Sequence, residues 1–436
     1  MDWLLLAGVI IACYAMIAFF IKTWKLWEDH VVFYGPIMAI KTDRVGFFDW
    51  FARYRRFFRV YGTIGAAMVI VVSVLTTVLL IGALQKTIVE KTPETAANHL
   101  QNIFAIPGVN DFIPFTFAVI LGLIVTMVVH EFGHAILCRI EGIRVKSMGL
   151  LIPVIPIGAF VEPDEEDLEK TRGMAKIRML GAGIANNLVL GVACFVLLFY
   201  LLGLAVPLAT PLIAGVYADS PAYTAGLPAN SLIKEVNGVS ISTRDDVSKV
   251  LDATRPGDTA TILVEKGGVT TSHTMTLSAW PAGLSNKTSG FMGVSYYDAS
   301  LLKQVFDNLL SLWGFALLLS LPFLLYIYPD TFGAFLILTN DTVGSVMWTV
   351  PFPYYWSVIQ ILFWCGWWNL LVGTFNALPA IPLDGGYILK EGVDRILEKK
   401  GLIRYSGQII AVISCMIVVV IAALFTLPIL FSNGIL

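Results

Sequence analysis

Long apolar stretches alternate with shorter polar segments along most of the chain. Six of them are long enough to cross a bilayer as helices, since a transmembrane helix needs about 20 apolar residues. They cover residues 4–21, residues 62–84, a stretch from about 112, a stretch that ends at about 206, residues 355–377 and residues 406–430. Residues 305–328 are also apolar but are broken by Pro322. No Lys or Arg lies between Lys303 and Lys390, so the connection 329–354 is expected outside, and 305–328 is expected at the interface or as a re-entrant hairpin without a net crossing. The pattern predicts a polytopic α-helical membrane protein with six transmembrane helices and room for one more membrane-embedded segment.

Two regions depart from this helical pattern. Residues 147–161 are rich in proline and glycine and too short to span a bilayer, which predicts a re-entrant hairpin. Residues 211–280 contain turn signals between short strand-like runs and a helical patch at 245–253, which is typical of a small α+β domain.

Composition agrees with a membrane protein. The 436 residues are 57% hydrophobic and only 14% charged, whereas soluble domains are about one quarter charged. The formal net charge of −2 gives no indication of a nucleic-acid partner. The five cysteines lie in apolar runs without C-x-x-C spacing, which argues against a disulfide framework or a cysteine metal site. The first three residues lack the basic segment of a secretory signal, so residues 4–21 are expected to be retained.

The basic residues predict the orientation. They cluster in segments 22–59, 139–178 and 390–404, which the positive-inside rule places in the cytosol. Both termini and the α+β domain are then extracytosolic, and a cell-membrane location is expected. The aromatic and basic stretch 47–58 is either an amphipathic helix at the lipid headgroups or a topological anchor.

An H-E-x-x-H motif lies near the cytosolic end of the third apolar stretch. His130 and His134 share one face of a helix because they are four residues apart, so both imidazoles can bind one metal ion. Glu131 lies beside them and can act as a general base. Ionisable residues inside a membrane segment are costly and usually functional. A zinc hydrolase site is therefore the leading hypothesis, and polar packing between helices is the alternative.

A catalytic zinc ion needs a third protein ligand, and Asp384 is the candidate. The other three histidines fall in loops or in the α+β domain, whereas Asp384 follows a stretch that descends to the same membrane depth as the motif. The alternative role for Asp384 is to cap the short helix that begins near Tyr387.

Together these motifs resemble the site-2 protease family of intramembrane zinc metalloproteases. The resemblance rests on H-E-x-x-H at 130–134, on A-G-x-x-x-N at 182–187, on N-x-x-P-x-x-P-L-D-G at 376–385, and on G-A-F-V at 158–161, which is similar to the family's membrane hairpin. Residues 220–280 resemble a PDZ domain, which many members carry at this position.

The resemblance implies a role for each candidate residue. His130, His134 and Asp384 would bind Zn²⁺, and Glu131 would be the catalytic base. Asn187 would bind the substrate backbone or stabilise the oxyanion. Position 184 is isoleucine where bacterial members often have proline, so Asn186 also stays a candidate for substrate binding. Gly158 and Phe160 of the hairpin would contact an extended substrate.

The predicted organisation has six parts. Residues 1–111 form two N-terminal transmembrane helices with a cytosolic loop, 112–206 the first part of the catalytic core, 207–285 the PDZ-like domain, 286–354 a membrane-associated segment, 355–405 the second part of the core, and 406–436 the last transmembrane helix. The predicted function is hydrolysis of peptide bonds in or near transmembrane segments of membrane-protein substrates, with a peptide C-terminus as a further ligand of the PDZ-like domain. The competing function is a zinc-binding receptor or transporter without hydrolysis, which would have no need of Glu131 between the two histidines.

Overall fold

A computed structural model describes residues 3–27, 30–35, 37–152, 158–281, 283–327, 335–339 and 343–435. The helices are α1 (Trp3–Thr23), α2 (Arg55–Glu90), α3 (Phe117–Glu141), α4 (Glu165–Lys170), α5 (Met174–Leu204), α6 (Pro221–Thr224), α7 (Arg244–Asp252), α8 (Ala299–Asp307), α9 (Leu312–Ile327), α10 (Leu336–Thr339), α11 (Tyr355–Asn376), α12 (Asp384–Lys399) and α13 (Ser406–Ser432). The strands are β1 (Val31–Tyr34), β2 (Ile37–Thr42), β3 (Val145–Ile152), β4 (Gly158–Pro163), β5 (Val206–Pro207), β6 (Leu212–Val216), β7 (Leu232–Val236), β8 (Val239–Ser240), β9 (Thr259–Lys266), β10 (Val269–Thr276), β11 (Val294–Tyr297) and β12 (Trp348–Thr349).

Five helices within the described residues are long and apolar enough to cross a membrane: α2, α3, α5, α11 and α13. α1 and α9 are further apolar helices, and α9 contains Pro322 as the sequence pattern indicated. These helices confirm a membrane protein, whereas the count of six spans stays a prediction.

α3 begins at Phe117 rather than at 112, because Pro114 lies in the preceding segment and the Thr116 side chain caps the helix by accepting a hydrogen bond from the Val119 amide.

The chain forms two compact units. The first contains residues 1–110, 115–193 and 364–436, and the second contains residues 111–114 and 194–363.

In the first unit, the predicted hairpin at 147–161 is observed as the antiparallel pair β3–β4. Its tip, residues 153–157, lies outside the described residues. β1 and β2 extend the pair to a four-stranded antiparallel sheet in the order β1-β2-β3-β4, with Lys41 opposite Gly149. These two added strands were not predicted from the sequence.

An ion pair joins the base of this hairpin to α4. Arg144, just before β3, donates from Nε to Asp167 Oδ2 at 2.7 Å. This hydrogen bond with the guanidinium lowers the pKa of the Asp167 carboxyl to about 2, so the pair stays charged at neutral pH.

The aromatic stretch before α2 packs against α3. Residues Gly46–Tyr54 form a 3₁₀ helix in which Phe48 is fully buried. The Phe48 ring meets the Phe132 ring edge-on, with the centroids 5.4 Å apart. Phe132 lies within the H-E-x-x-H motif. This stretch therefore packs behind that motif through Phe48, while Trp50 and Tyr54 are exposed. Its placement at the lipid headgroups and its role as a topological anchor both stay predictions.

The second unit contains the predicted α+β domain. Its sheet has the strand order β10-β9-β7-β6-β11, and β8 pairs with β7. The β7–β8 turn uses Asn237 and Gly238, both at positive φ, as a tight hairpin of this kind requires. The predicted helical patch is α7, capped by Thr243. Because β11 pairs with β6, the sheet continues to Tyr297, past residue 285 where the sequence analysis ended the domain.

Candidate metal centre

His130 and His134 lie in the C-terminal half of α3. This is the end of the third span that the sequence predicts to face the cytosol. The helix is regular through the motif and ends at Gly142, whose positive φ suits a helix C-terminus. Because they are four positions apart, the two rings point to the same side of the helix, and their Nε2 atoms are 3.2 Å apart.

Asp384 completes a triangle with the two histidines. Its Oδ2 atom lies 3.1 Å from His130 Nε2 and 3.3 Å from His134 Nε2. Asp384 is the first residue of α12, the cap position belongs to Leu383, and no side chain caps this helix. The alternative role of Asp384 as a helix cap is therefore wrong.

Glycines allow the three side chains to converge. A Cβ atom on Gly183 of α5 would lie 2.5 Å from His134 Nε2 and 2.8 Å from His130 Cε1. A Cβ atom on Gly385 would overlap the carbonyl oxygen of Ala377. Both positions need glycine because real Cβ atoms do not approach other atoms so closely. Gly183 of the A-G pair therefore leaves space for the two histidine rings.

The outer nitrogens of both rings have partners. His134 Nδ1 lies 2.9 Å from the carbonyl oxygen of Met179, so it must carry a proton and donate it. His130 Nδ1 lies 3.2 Å from the side-chain amide of Asn187. With its proton on Nδ1, a neutral imidazole presents an unshared electron pair at Nε2, the form that binds a metal ion.

These residues fit a zinc ion. Two ring nitrogens and one carboxylate oxygen are the donor types of catalytic zinc sites, and bond lengths of about 2.0–2.2 Å place tetrahedral ligand atoms about 3.3–3.6 Å apart. The observed separations of 3.1 to 3.3 Å are close to these values. Asp384 Oδ2 is buried and accepts no hydrogen bond within the described residues. Three electron-pair donors that converge at this distance would repel one another without a cation.

Glu131 lies on the wall of a cavity of about 450 Å³ beside this group. Its Oε2 atom accepts a hydrogen bond from the Val161 amide of β4 at 2.9 Å. Residues of α3, β4, α4, α5, the end of α11 and the start of α12 surround the cavity: Met127, His130, Glu131, His134, Cys138, Gly158, Ala159, Val161, Pro163, Leu168, Met179, Leu180, Val372, Asn376 and Asp384. Cys138 lines the cavity, but the group with metal-ligand geometry contains only His130, His134 and Asp384 among the described residues.

The other predicted site residues lie in different surroundings. Gly158 lines the cavity, whereas Phe160 does not and instead packs its ring over Gly149 of β3. Asn187 is fully buried behind His130. Asn186 donates to the Val129 carbonyl at 3.0 Å and accepts from the Tyr61 hydroxyl at 2.6 Å. The roles of these four residues in substrate binding stay predictions, and of the four only Gly158 lines the cavity.

Sequence reasoning missed two contacts of the site, the Met179 carbonyl and the Val161 amide. Both are backbone groups, so residue type gives no signal for them. Tyr61 was missed too, because it lies outside every recognised motif.

Comparison with known proteins places this geometry in a family. The model of Peptidase family M50 matches residues 117–421, which is more than half of the chain. An uncharacterised protein of Methanocaldococcus jannaschii is 25% identical over 296 residues, which cover 65% of this chain and 61% of the relative.

Two bacterial relatives carry the name "putative zinc metalloprotease". The relative from Brucella suis is 28% identical over 199 residues, with 37% of this chain and 51% of the relative covered. The relative from Mesorhizobium japonicum is 26% identical over 347 residues, with 66% and 89% covered. The chain thus matches 61% and 51% of the length of the first two relatives.

A solved PDZ domain of an SdrC-like protein from Listeria monocytogenes aligns with 22% of this chain and 96% of its own length at 22% identity. The TM-score is 0.19, which is too low to establish a shared fold. The family match, in contrast, extends over the H-E-x-x-H helix, the hairpin and the Asp384 segment. The chain belongs to Peptidase family M50, the site-2 proteases, and is an integral membrane protein whose described residues contain a His-His-Asp group that could hold a metal ion.

Proposed function

We propose that this protein is an intramembrane zinc metalloprotease that hydrolyses peptide bonds in or near transmembrane segments of other membrane proteins. One observation supports this most directly: Glu131, a carboxylate with no ion-pair partner among the described residues, faces the same cavity as the His130–His134–Asp384 triangle. A receptor or transporter needs the triangle but not this carboxylate. No feature of the described residues favours that alternative.

His130, His134 and Asp384 would hold the ion, and Glu131 would move the proton. Zinc, when bound, polarises the scissile carbonyl and activates a water molecule. Glu131 accepts a proton from the attacking water and returns it to the nitrogen of the leaving amine. The hydrogen bond from the Val161 amide holds the Glu131 carboxylate beside the cavity, so that little reorganisation is needed.

The substrate would bind as an extended strand along β4. Val161 directs its N–H away from β3, toward Glu131, and in an antiparallel strand the alternate residue Ala159 faces the same side. Both residues line the cavity. A helical substrate hides its carbonyl groups in its own hydrogen bonds, so it must unwind locally before it pairs with this edge.

The proposed orientation has six transmembrane helices, with the site toward the cytosol and both termini outside. The basic segments 22–59, 139–178 and 390–404 support it. A cysteine at Ser242 in a variant without the exposed Cys13 and Cys415 tests this orientation. A membrane-impermeant thiol reagent should label it from the outside of the cell membrane, and labelling from the cytosolic side alone would invert the whole assignment.

Two substitutions test the catalytic proposal. Glu131→Gln removes the base but no ligand, so zinc content should stay at about one per chain while cleavage of a helical membrane substrate falls about 10²-fold or more. Glu162→Gln is the matched control, because Glu162 lies one residue after Val161 but bonds to Ser147 and does not line the cavity. Cleavage at the wild-type rate by Glu131→Gln would refute the mechanism.

The metal assignment has its own test. His130→Ala together with His134→Ala removes two of three ligands, so zinc should be lost on purification. Full zinc content in that double variant would refute the site.

A further inference from the structure

Two adjacent amides of α5 reach the two consecutive residues of α3 that begin the metal centre. Asn186 donates to the carbonyl oxygen of Val129 at 3.0 Å, and Asn187 contacts Nδ1 of His130 at 3.2 Å. Consecutive helical residues point about 100° apart, so they serve different partners. The two helices can approach closely here because Gly133 has no side chain. A Cβ atom at this position would lie 2.6 Å from the Ala182 carbonyl oxygen.

The protonation of His130 decides how the Asn187 amide is oriented. Metal binding through Nε2 leaves the proton on Nδ1, and an amide nitrogen cannot accept it. The two ends of a carboxamide have nearly the same shape, so the amide can present its oxygen at that position instead. Asn187 is fully buried, and its Oδ1 atom as placed has no hydrogen-bond partner within the described residues. Presenting Oδ1 to Nδ1–H therefore satisfies the ring and the oxygen together.

Asn186 is anchored from a helix outside the matched family region. Tyr61 of α2 donates to Asn186 Oδ1 at 2.6 Å. α2 packs closely against α5 at this level because Gly65 has no side chain. A Cβ atom at this position would lie 2.8 Å from the Ala185 Cβ. The tyrosine thus fixes the amide that holds the turn before His130.

We propose that Asn187 is a positioning residue of the metal centre, which accepts a hydrogen bond from Nδ1–H of His130, and that Tyr61 supports it through the neighbouring Asn186. Asn187 then sets the ring orientation and tautomer of His130 instead of binding substrate. This inference rests on the proposed zinc site. It assigns to α2, which precedes the region shared with the family, a part in building that site.

Zinc affinity of the full-length protein in detergent, measured by competition with a chelator, tests the inference without a substrate. Asn187→Leu removes the acceptor and should weaken zinc binding about 10- to 100-fold, as expected for the loss of a hydrogen bond to a metal-ligating histidine. Asn187→Asp restores an acceptor, and the affinity should return to within about three-fold of wild type.

Asn369→Leu is the matched control. Asn369 is also a fully buried amide of the first unit, and its Oδ1 has no hydrogen-bond partner in the part of the chain that the structure describes. Its nitrogen donates to Thr126 and to the Cys365 carbonyl, away from the proposed ligands. Its loss should leave zinc affinity within about three-fold of wild type if only the contact to His130 matters. Tyr61→Phe should weaken zinc binding about two- to ten-fold, the effect of one net hydrogen bond. Thr77→Val removes a hydroxyl that donates to the Ser73 carbonyl within α2 and should leave zinc binding unchanged.

The outcomes separate the inference from the proposed function. A wild-type protein without zinc would refute the function itself. Wild-type zinc affinity in folded Asn187→Leu, or an equal loss in Asn369→Leu, would overturn the inference alone. If Asn187→Leu does not fold, Asn187→Asp still decides: cleavage reduced about 10²-fold with zinc affinity intact would make Asn187 a donor to the substrate and overturn its positioning role.

Discussion

At the scale of single residues, the absence of a side chain is as important to the metal centre as the ligands are. Gly183 faces both histidines, and a methyl group there would lie 2.5 Å from His134 Nε2 and 2.9 Å from His130 Nε2. The rings cannot yield easily, because Met179 and Asn187 hold their other nitrogens. Any shift that accommodates the methyl group must therefore disturb the triangle.

Gly183→Ala should consequently lower zinc affinity. Overpacking of this kind costs about 1–3 kcal/mol, which corresponds to a loss of roughly 5- to 150-fold if it falls on the metal-bound geometry. Gly203→Ala in the same helix is the control, since nothing lies within 4 Å of its added Cβ atom. That change should be neutral or slightly stabilising, as alanine favours a helix. Equal zinc affinities of the two variants would contradict the steric argument.

At the scale of elements, α2, α3 and α5 meet at one buried carboxylate. The side chain of Glu141, the last residue of α3, is 2% exposed and pairs with Arg178 of α5 at 2.8 Å and with Arg59 of α2 at 3.2 Å. Arg178 is itself only 16% exposed. Removing one member of such a buried pair leaves an uncompensated charge.

Glu141→Gln should therefore destabilise the helix assembly by about 3–5 kcal/mol. The change would appear as a lower midpoint in a thermal or denaturant unfolding experiment in detergent. Glu90→Gln at the end of α2 is the control, because Glu90 pairs with Lys86 in an exposed position at 3.9 Å. An exposed pair contributes at most about 1 kcal/mol. A similar midpoint in both variants would show that Glu141 does not hold the three helices together.

The sequence predicted the elements that carry local signals. The apolar stretches became helices, the i, i+4 spacing placed His130 beside His134, and proline and glycine content indicated the β3–β4 pair. Asp384 was expected at the depth of the motif because both lie at the cytosolic ends of predicted spans and the other three histidines do not. The distances of 3.1 and 3.3 Å agree with this expectation.

Features that depend on distant parts of the chain could not be predicted in the same way. β2 pairs with β3 more than 100 residues later, and a short strand between two helices gives no indication of its partner. Asn186 and Asn187 have different hydrogen-bond partners, and these lie on two other helices: Tyr61 on α2, and Val129 and His130 on α3. The end of the α+β domain was missed because Val294–Tyr297 returns to β6 after an irregular segment.

At the scale of the whole molecule, the α+β domain has the properties of an insertion. Its buried side chains form their own cluster, which includes Ile213, Ile233, Val247 and Ile262. The chain enters through β6 and leaves through β11, and Leu212 and Tyr297 are direct partners in this antiparallel pair. Paired residues lie about 4.5–5.5 Å apart at Cα, so a short bridge can replace everything between them.

Excision of residues 212–297 with a short Gly/Ser bridge should therefore retain the zinc site, because every ligand and every residue around the cavity belongs to the other unit. If the domain screens substrates on the extracytosolic side, cleavage of a short substrate without an outer domain should stay within a few-fold of the full-length protein. A substrate with a large folded outer domain, which the full-length protein should reject, should become cleavable. The cleavage rates of both substrates, with the zinc content measured in parallel, check this expectation.

A deletion variant that keeps its zinc but cleaves neither substrate would show that the domain supports catalysis itself. A variant that continues to reject only the bulky substrate would show that exclusion resides in the membrane helices.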